Sequence, residues 1–201
     1  MKELWDKRYS GADYIYGKEP NLYFKKIIDG LVPGNLLVPG AGEGRDAVYA
    51  ATLGWNVHAF DQSEKGKEKA LSLAAEKNAL ISYNVLNAED FVIEENKYDL
   101  ISLIYFHLPS DLRQKFYKDI IKCLKPNGQI ILEAFNPKQI NNNSGGPKDL
   151  SILITSEMLI KDFEDLHSIE LIEMETFLEE GDYHKGKADI IRYHGQWSNM
   201  R

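Results

Sequence analysis

The sequence predicts an α/β fold: a mostly parallel sheet with helices on both faces, finished by a terminal antiparallel β-hairpin. Three observations carry that prediction. Short apolar runs alternate with amphipathic stretches from residue 35 to residue 135, the pattern of βαβ units. The first run passes through a Gly-rich turn straight into a helix. The last two runs are joined only by a polar turn, and a direct connection of that kind requires antiparallel pairing.

Taken in order, Leu36–Val38 reads as the first strand and Arg45–Leu53 as a helix, with Gly54 at its C-terminal stop. Asn56–Phe60 is a strand ending at Asp61, and Ser63 caps a helix that runs to Asn78. Ile81–Leu86 is the third strand. Tyr98–Tyr105 is the fourth, and its run Leu100-Ile101-Ser102-Leu103-Ile104 suits a parallel strand buried on both faces. Ser110 caps a helix to Leu124, closed by Pro126-Asn127-Gly128, and Gln129–Phe135 is the fifth strand. Residues 136–150 form a polar, breaker-rich loop whose length points to function. A helix near Ser156–Phe163 precedes the hairpin strands Ser168–Leu178 and Lys187–His194.

Ahead of the first strand, residues 1–20 carry Trp5, Tyr9, Tyr14 and Tyr16 among charges and end in Gly17 and Pro20, an arm suited to lie over a site. Asn21 caps a helix over Leu22–Ile28. No repeat or linker divides the chain, so the expectation is a single domain, 1–201, with 1–20 as an N-terminal lid.

The bulk properties exclude several classes of function. A composition of 43% hydrophobic and 27% charged residues fits a globular enzyme and not a disordered chain. A net charge of -7 with no basic cluster argues against a nucleic-acid partner. The single cysteine, Cys123, sits in an apolar helical segment, excludes an internal disulfide and fits a reducing compartment. The N-terminus lacks the apolar stretch of a signal peptide, and no apolar run reaches membrane length, so a cytoplasmic protein is expected. The five histidines, His58, His107, His167, His184 and His194, show no metal-ligand spacing.

The chemistry centres on Gly40-Ala41-Gly42-Glu43-Gly44-Arg45. Alternating glycines let a ligand approach the main chain, and the following helix offers its N-terminal dipole. Two ligands compete for such a turn. A dinucleotide fingerprint would carry a third glycine where Arg45 stands, and Glu43 would set a carboxylate against a pyrophosphate. S-adenosylmethionine has no phosphate, and its ammonium and sulfonium suit an acidic turn. Asp61, at the end of the second strand, fits the ribose of either ligand.

The turn, then Asp61-Gln62-Ser63, then Leu124-Lys125-Pro126-Asn127-Gly128, resembles class I S-adenosylmethionine-dependent methyltransferases. With Trp5-Asp6-Lys7-Arg8-Tyr9, Tyr14, Tyr16-Gly17, Pro20-Asn21 and the later Gly145-Gly146-Pro147, it is most similar to the tellurite-resistance methyltransferases and their thiopurine-methyltransferase relatives. The resemblance implies the Rossmann-like class I methyltransferase fold. It implies S-adenosylmethionine as cofactor and S-adenosylhomocysteine as product. The cofactor would be held by Trp5, Tyr16, Gly40, Ala41, Gly42, Asp61, Gln62, Asn87, Ala88 and Tyr105. The Asn87-Ala88 turn would meet the adenine, with asparagine where many members have aspartate. Trp5 and Tyr16 would shield the sulfonium.

Tyr105-Phe106-His107-Leu108-Pro109 stands at the C-terminal end of the fourth strand, where open α/β sheets bind ligands. His107 is the candidate general base there. Gln139 and His184 are candidate substrate residues, and Arg192 lies nearby in sequence. The expected function is methyl transfer to a small-molecule acceptor, a soft nucleophile of thiol, tellurite or selenite type, with no metal. An NAD(P)-binding oxidoreductase and a non-catalytic S-adenosylmethionine-binding regulator are the alternatives.

Overall fold

The computed structural model describes residues 2–198. The elements are α1 (Lys2–Tyr9), α2 (Leu22–Ile28), β1 (Asn35–Pro39), α3 (Arg45–Thr52), β2 (Asn56–Asp61), α4 (Glu64–Glu76), β3 (Ser82–Val85), β4 (Tyr98–Ile104), α5 (Ser110–Ile121), β5 (Leu124–Phe135), α6 (Ser156–Asp162), β6 (His167–Glu179) and β7 (Lys185–Gln196). The seven strands take the sheet order β3-β2-β1-β4-β5-β7-β6. Pairing is parallel at β1/β2, β2/β3 and β4/β5, and antiparallel at β5/β7 and β6/β7. This is the mixed α/β sheet with an antiparallel end that the sequence predicts.

The chain forms two compact units, residues 2–91 with 180–183 and residues 92–179 with 184–198. In the first, β1 buries Leu36, Leu37 and Val38, as a central parallel strand must. Helices α3 and α4 close an apolar cluster of Val48, Leu73, Ala74 and Ala79. Helix α4 starts where the sequence places it: the Ser63 hydroxyl accepts from Gly66 N at 2.9 Å.

In the second unit the hairpin pairs in near-unbroken register from His167↔Gln196 to Glu179↔Lys185. Phe135, Leu153, Leu178, Ala188 and Ile190 form one of its cores. Tyr117, Phe163 and Tyr193 stack in series with centroids 4.9 Å apart at each step. Helices α5 and α6 are tied by a buried ion pair, Arg113 Nε to Asp162 Oδ2 at 2.7 Å.

Three details differ from the expectation. Ser110 is the first helical residue of α5, and its cap position is Pro109, which has no side-chain hydroxyl to give. The Pro126-Asn127-Gly128 segment belongs to β5, with Asn127 turned left-handed at φ 66°. The 136–150 loop contains two short 3-10 turns, Pro137–Asn141 and Leu150–Ile152.

No helix among the described residues is long and apolar enough to cross a membrane.

Candidate functional site

The turn after β1 adopts left-handed backbone at Gly40, Gly42 and Gly44, with φ of 63°, 51° and 86°. At two of these the neighbours leave no room for a side chain. A Cβ on Gly44 would lie 2.5 Å from the Ala70 Cβ, and one on Gly42 would lie 2.8 Å from the Tyr9 hydroxyl.

Asp61 fixes the turn to β2. Its Oδ2 accepts from Gly42 N at 3.1 Å and its Oδ1 from Ser63 N at 2.9 Å. Burial pushes its carboxyl above the usual carboxylate range, against those backbone donors. From β3, the Tyr83 hydroxyl donates to Gly42 O at 2.7 Å and closes the turn from below.

The N-terminal arm lies in the same unit and is bonded to this turn. Tyr9 is buried beside Gly42 and stacks on Trp5, with centroids 5.5 Å apart. The Arg8 guanidinium lies 4.7 Å from the Trp5 ring and donates to the Tyr16 hydroxyl at 3.1 Å. Asp6 accepts from the Ser63 hydroxyl at 2.6 Å, which anchors α1 to the start of α4.

Glu43 behaves differently from the sequence expectation. Its carboxylate is spent on the arm instead of facing a ligand: Oε2 accepts from Ile15 N at 2.8 Å and Oε1 pairs with Lys69 Nζ at 2.8 Å. The contrast in local charge used to separate a dinucleotide from S-adenosylmethionine therefore loses its basis. Arg45, likewise, does not stand in for a glycine against a helix; it donates to Tyr16 O at 3.1 Å and pairs with Glu180 at 2.8 Å.

Asn87 and Ala88 follow β3, where Asn87 starts a 3-10 turn and its Nδ2 donates to Asp90 Oδ2 at 3.0 Å. Gln62 is half-buried beside Asp61.

The remaining candidates lie in the second unit. Tyr105 holds a left-handed φ of 51° just past β4, a conformation that costs energy for an aromatic residue and marks functional sites. Its hydroxyl donates to Glu133 Oε1 at 2.9 Å, and Arg192 Nε donates to Glu133 Oε2 at 2.6 Å. Its ring stacks on Phe135 at 4.7 Å and meets the edge of His184 at 4.5 Å. His184 is buried in this aromatic cluster.

His107 also packs on Phe135, and both of its ring nitrogens face backbone. Phe135 N donates to Nε2 at 3.5 Å, so Nδ1 carries the proton and donates to Ile152 O at 3.0 Å. Burial first, then the nearby His184, pushes its pKa down to about 4 against the Ile152 bond. Gln139 is fully buried and engaged within its own loop. Its amide donates to Ser144 Oγ and Gly145 O at 3.0 and 2.9 Å and accepts from Asn142 and from Asp189 N. It braces the breaker-rich segment.

A polar cavity of about 540 Å³ lies elsewhere in this unit, lined by residues including Asn136, Lys138, Glu173, Lys187 and Asp189. None of the sequence-predicted residues lines it, and two of its charged residues pair with each other, Lys187 with Glu175 at 2.5 Å. Among the described residues no group of three or more His, Cys, Asp or Glu side chains is placed to hold a metal ion.

Sequence reasoning missed Lys69, Tyr83, Glu133 and Glu180. All act across long sequence separations, and no local motif announces them.

Comparison with known proteins gives these residues a context. The methyltransferase domain family matches residues 37–128, from within β1 into the first part of β5. A 2-heptyl-1-hydroxyquinolin-4(1H)-one methyltransferase of Mycobacteroides abscessus is 25% identical over 163 residues, 75% of this chain and 72% of that protein. A solved structure concerned with conversion of a disulfide bond into a thioacetal group during echinomycin biosynthesis has a TM-score of 0.78 at 16% identity, over 100% of this chain and 93% of that one. The N-methyltransferase NodS from Bradyrhizobium japonicum, in complex with S-adenosylhomocysteine, has a TM-score of 0.71 at 13% identity, over 97% of each chain. At such identities the two solved structures establish the shared fold.

Proposed function

We propose, from the premise that the chain is a class I S-adenosylmethionine-dependent methyltransferase, that it methylates a small soft-nucleophile acceptor without a general base. Three features support a fit to the cofactor. The Asp61 carboxylate, held by backbone N–H groups at the end of β2, retains acceptor capacity for a ribose hydroxyl. The Asn87 amide nitrogen is committed to Asp90, which leaves its carbonyl oxygen to accept from the exocyclic amine of adenine. The glycines at 40, 42 and 44 leave the main chain open to close approach. Trp5, Tyr16, Ala41, Gln62 and Ala88 complete the cofactor set on this reading.

Bound S-adenosylmethionine supplies a methyl group made electrophilic by its sulfonium. The protein then has to align the acceptor and exclude water, and positioning alone contributes several kcal/mol.

The acceptor class follows from His107, the observation that carries this part of the proposal. Its Nε2 lone pair already accepts from Phe135 N, and its Nδ1 proton is given to Ile152 O. It therefore acts as a brace for the aromatic cluster and has no free nitrogen to take a proton. A chalcogen oxyanion, already an anion near neutral pH, or a thiol that reacts through its solution fraction of thiolate needs none. His184, buried against Tyr105 and Phe135, is the acceptor-side residue of this reading. Gln139 contributes by holding the 136–146 segment. A buried lone cysteine is in keeping with a cytoplasmic setting.

The test is methyl transfer from labelled S-adenosylmethionine to thiols, selenite, tellurite, phenols and amines. The expected outcome is turnover of the thiol or chalcogen acceptors, with a rate that follows the ionisation of the acceptor itself. Preferential turnover of phenols or amines, with a protein base near neutral pH, would overturn the acceptor assignment. Binding without turnover across the panel would favour a regulator.

A further inference from the structure

Glu43 and Arg45 stand on either side of Gly44, at the turn that this reading gives to the cofactor. Their side chains hold the same short stretch of arm backbone, Ile15-Tyr16. Glu43 accepts from the N–H groups of Ile15 and Tyr16 at 2.8 and 3.4 Å, and Arg45 donates to the carbonyl of Tyr16 at 3.1 Å.

Each of these two residues is neutralised by a partner of its own. Lys69 on α4 pairs with Glu43 and also donates to Asp13 O at 2.5 Å, so it bonds the arm as well. Glu180, in the tight turn between β6 and β7, pairs with Arg45 through Oε2 and accepts from Asn21 Nδ2 at 2.9 Å through Oε1. Asn21 N in turn donates to Asp46 Oδ1 in the first turn of α3 at 2.7 Å. Next to Glu180, Gly181 has a φ of 70°, and a Cβ there would lie 2.2 Å from Ile15 O. Arm backbone and hairpin-turn backbone meet at a distance that only glycine permits.

We propose that Glu43, Arg45 and Glu180 are positioning residues that latch residues 13–21 and the 180–183 turn onto the glycine turn, so that cofactor release requires the latch to open. The physical reason is the burial of its charges. The Glu43 and Lys69 side chains are 3% and 14% exposed, and Arg45 and Glu180 are 11% exposed each. Pulling the arm away strips a buried carboxylate of two backbone donors at once, which opposes spontaneous opening. A ligand held against the same backbone inherits that resistance as slow dissociation. The two turn residues thus explain why a glycine loop carries an acid and a base with no ligand role: their ligand is the protein's own arm.

This inference rests on the cofactor reading above, and its test separates the two. The experiment measures S-adenosylhomocysteine dissociation by stopped flow from wild type, Glu43→Gln and Glu180→Gln, alongside urea denaturation of each. Trypsin cleavage at the exposed Lys7 and Lys18 is followed with and without S-adenosylhomocysteine. The expected result is dissociation faster by about tenfold or more in folded variants. In wild type the ligand protects the arm from trypsin, and in the variants it does not. Should Glu43→Gln fail to fold, Glu180→Gln, on a tight turn outside the helices and strands, carries the test. Folded variants that release the ligand at the wild-type rate overturn the latch while the cofactor reading stands. A wild type that binds no S-adenosylhomocysteine overturns both.

Discussion

In the unit of residues 2–91 with 180–183, the carboxylates of Glu43, Asp46 and Asp61 accept from backbone N–H groups of segments distant in sequence. In the unit of residues 92–179 with 184–198, Glu133 and Asp162 accept from side chains, the tyrosine hydroxyl and arginines of neighbouring elements. Acids of the first kind organise loops, since each bond fixes the path of a peptide that has no strand or helix to hold it. Acids of the second kind cross-link elements that are already regular. Function that needs opening and closing suits the first arrangement, and a rigid backdrop suits the second.

The comparison predicts its largest stability effect in the second unit. Asp162→Ala leaves the Arg113 guanidinium, 2% exposed, without its counter-charge, and should cost about 3–5 kcal/mol in urea denaturation. A loss under about 1 kcal/mol would mean that this pair is not the cross-link described.

The pH dependence of stability comes next. His107 is depressed from 6.5 to about 4 by burial, so the unfolded chain binds its proton first as pH falls. Stability contributed by neutral His107 is complete above pH 6.5 and is lost between pH 6.5 and about 4, a total of about 3 kcal/mol. His107→Gln should flatten that part of the pH profile measured by thermal or urea unfolding.

Gly44→Ala probes the first unit. A left-handed φ of 86° and a Cβ only 2.5 Å from Ala70 should together cost roughly 2–3 kcal/mol, with loss of cofactor binding larger than the loss of stability suggests. The smallest effect is Ser63→Ala, about 1 kcal/mol for a lost cap, accompanied by release of Asp6 and easier cleavage of the arm.

The sequence carried the strands, most helices and the antiparallel end, because burial on both faces and turn residues leave local patterns. Val38 and Ile101 reveal a strand whatever lies beside them. The glycine turn was legible for the same reason, as a backbone requirement of a strand-turn-helix unit, whereas the bonds of Asp61 to Gly42 N and Ser63 N were not read from the sequence. Glu43 was misjudged because a side chain's direction out of a turn depends on what it meets, and its partners lie 27 or 28 residues before it and 26 after it. Glu180 was invisible on the same grounds, since Arg45 lies 135 residues away. His107 was legible as a histidine at a strand end, but its two backbone partners come from loops whose paths no pattern encodes.

The most direct measurement is a calorimetric titration of wild type and Asp61→Ala with S-adenosylhomocysteine and, separately, with NAD. The account predicts that wild type binds S-adenosylhomocysteine and not NAD, and that Asp61→Ala binds it at least about tenfold more weakly. Binding of NAD in place of S-adenosylhomocysteine, or an Asp61→Ala protein with undiminished affinity, would contradict it.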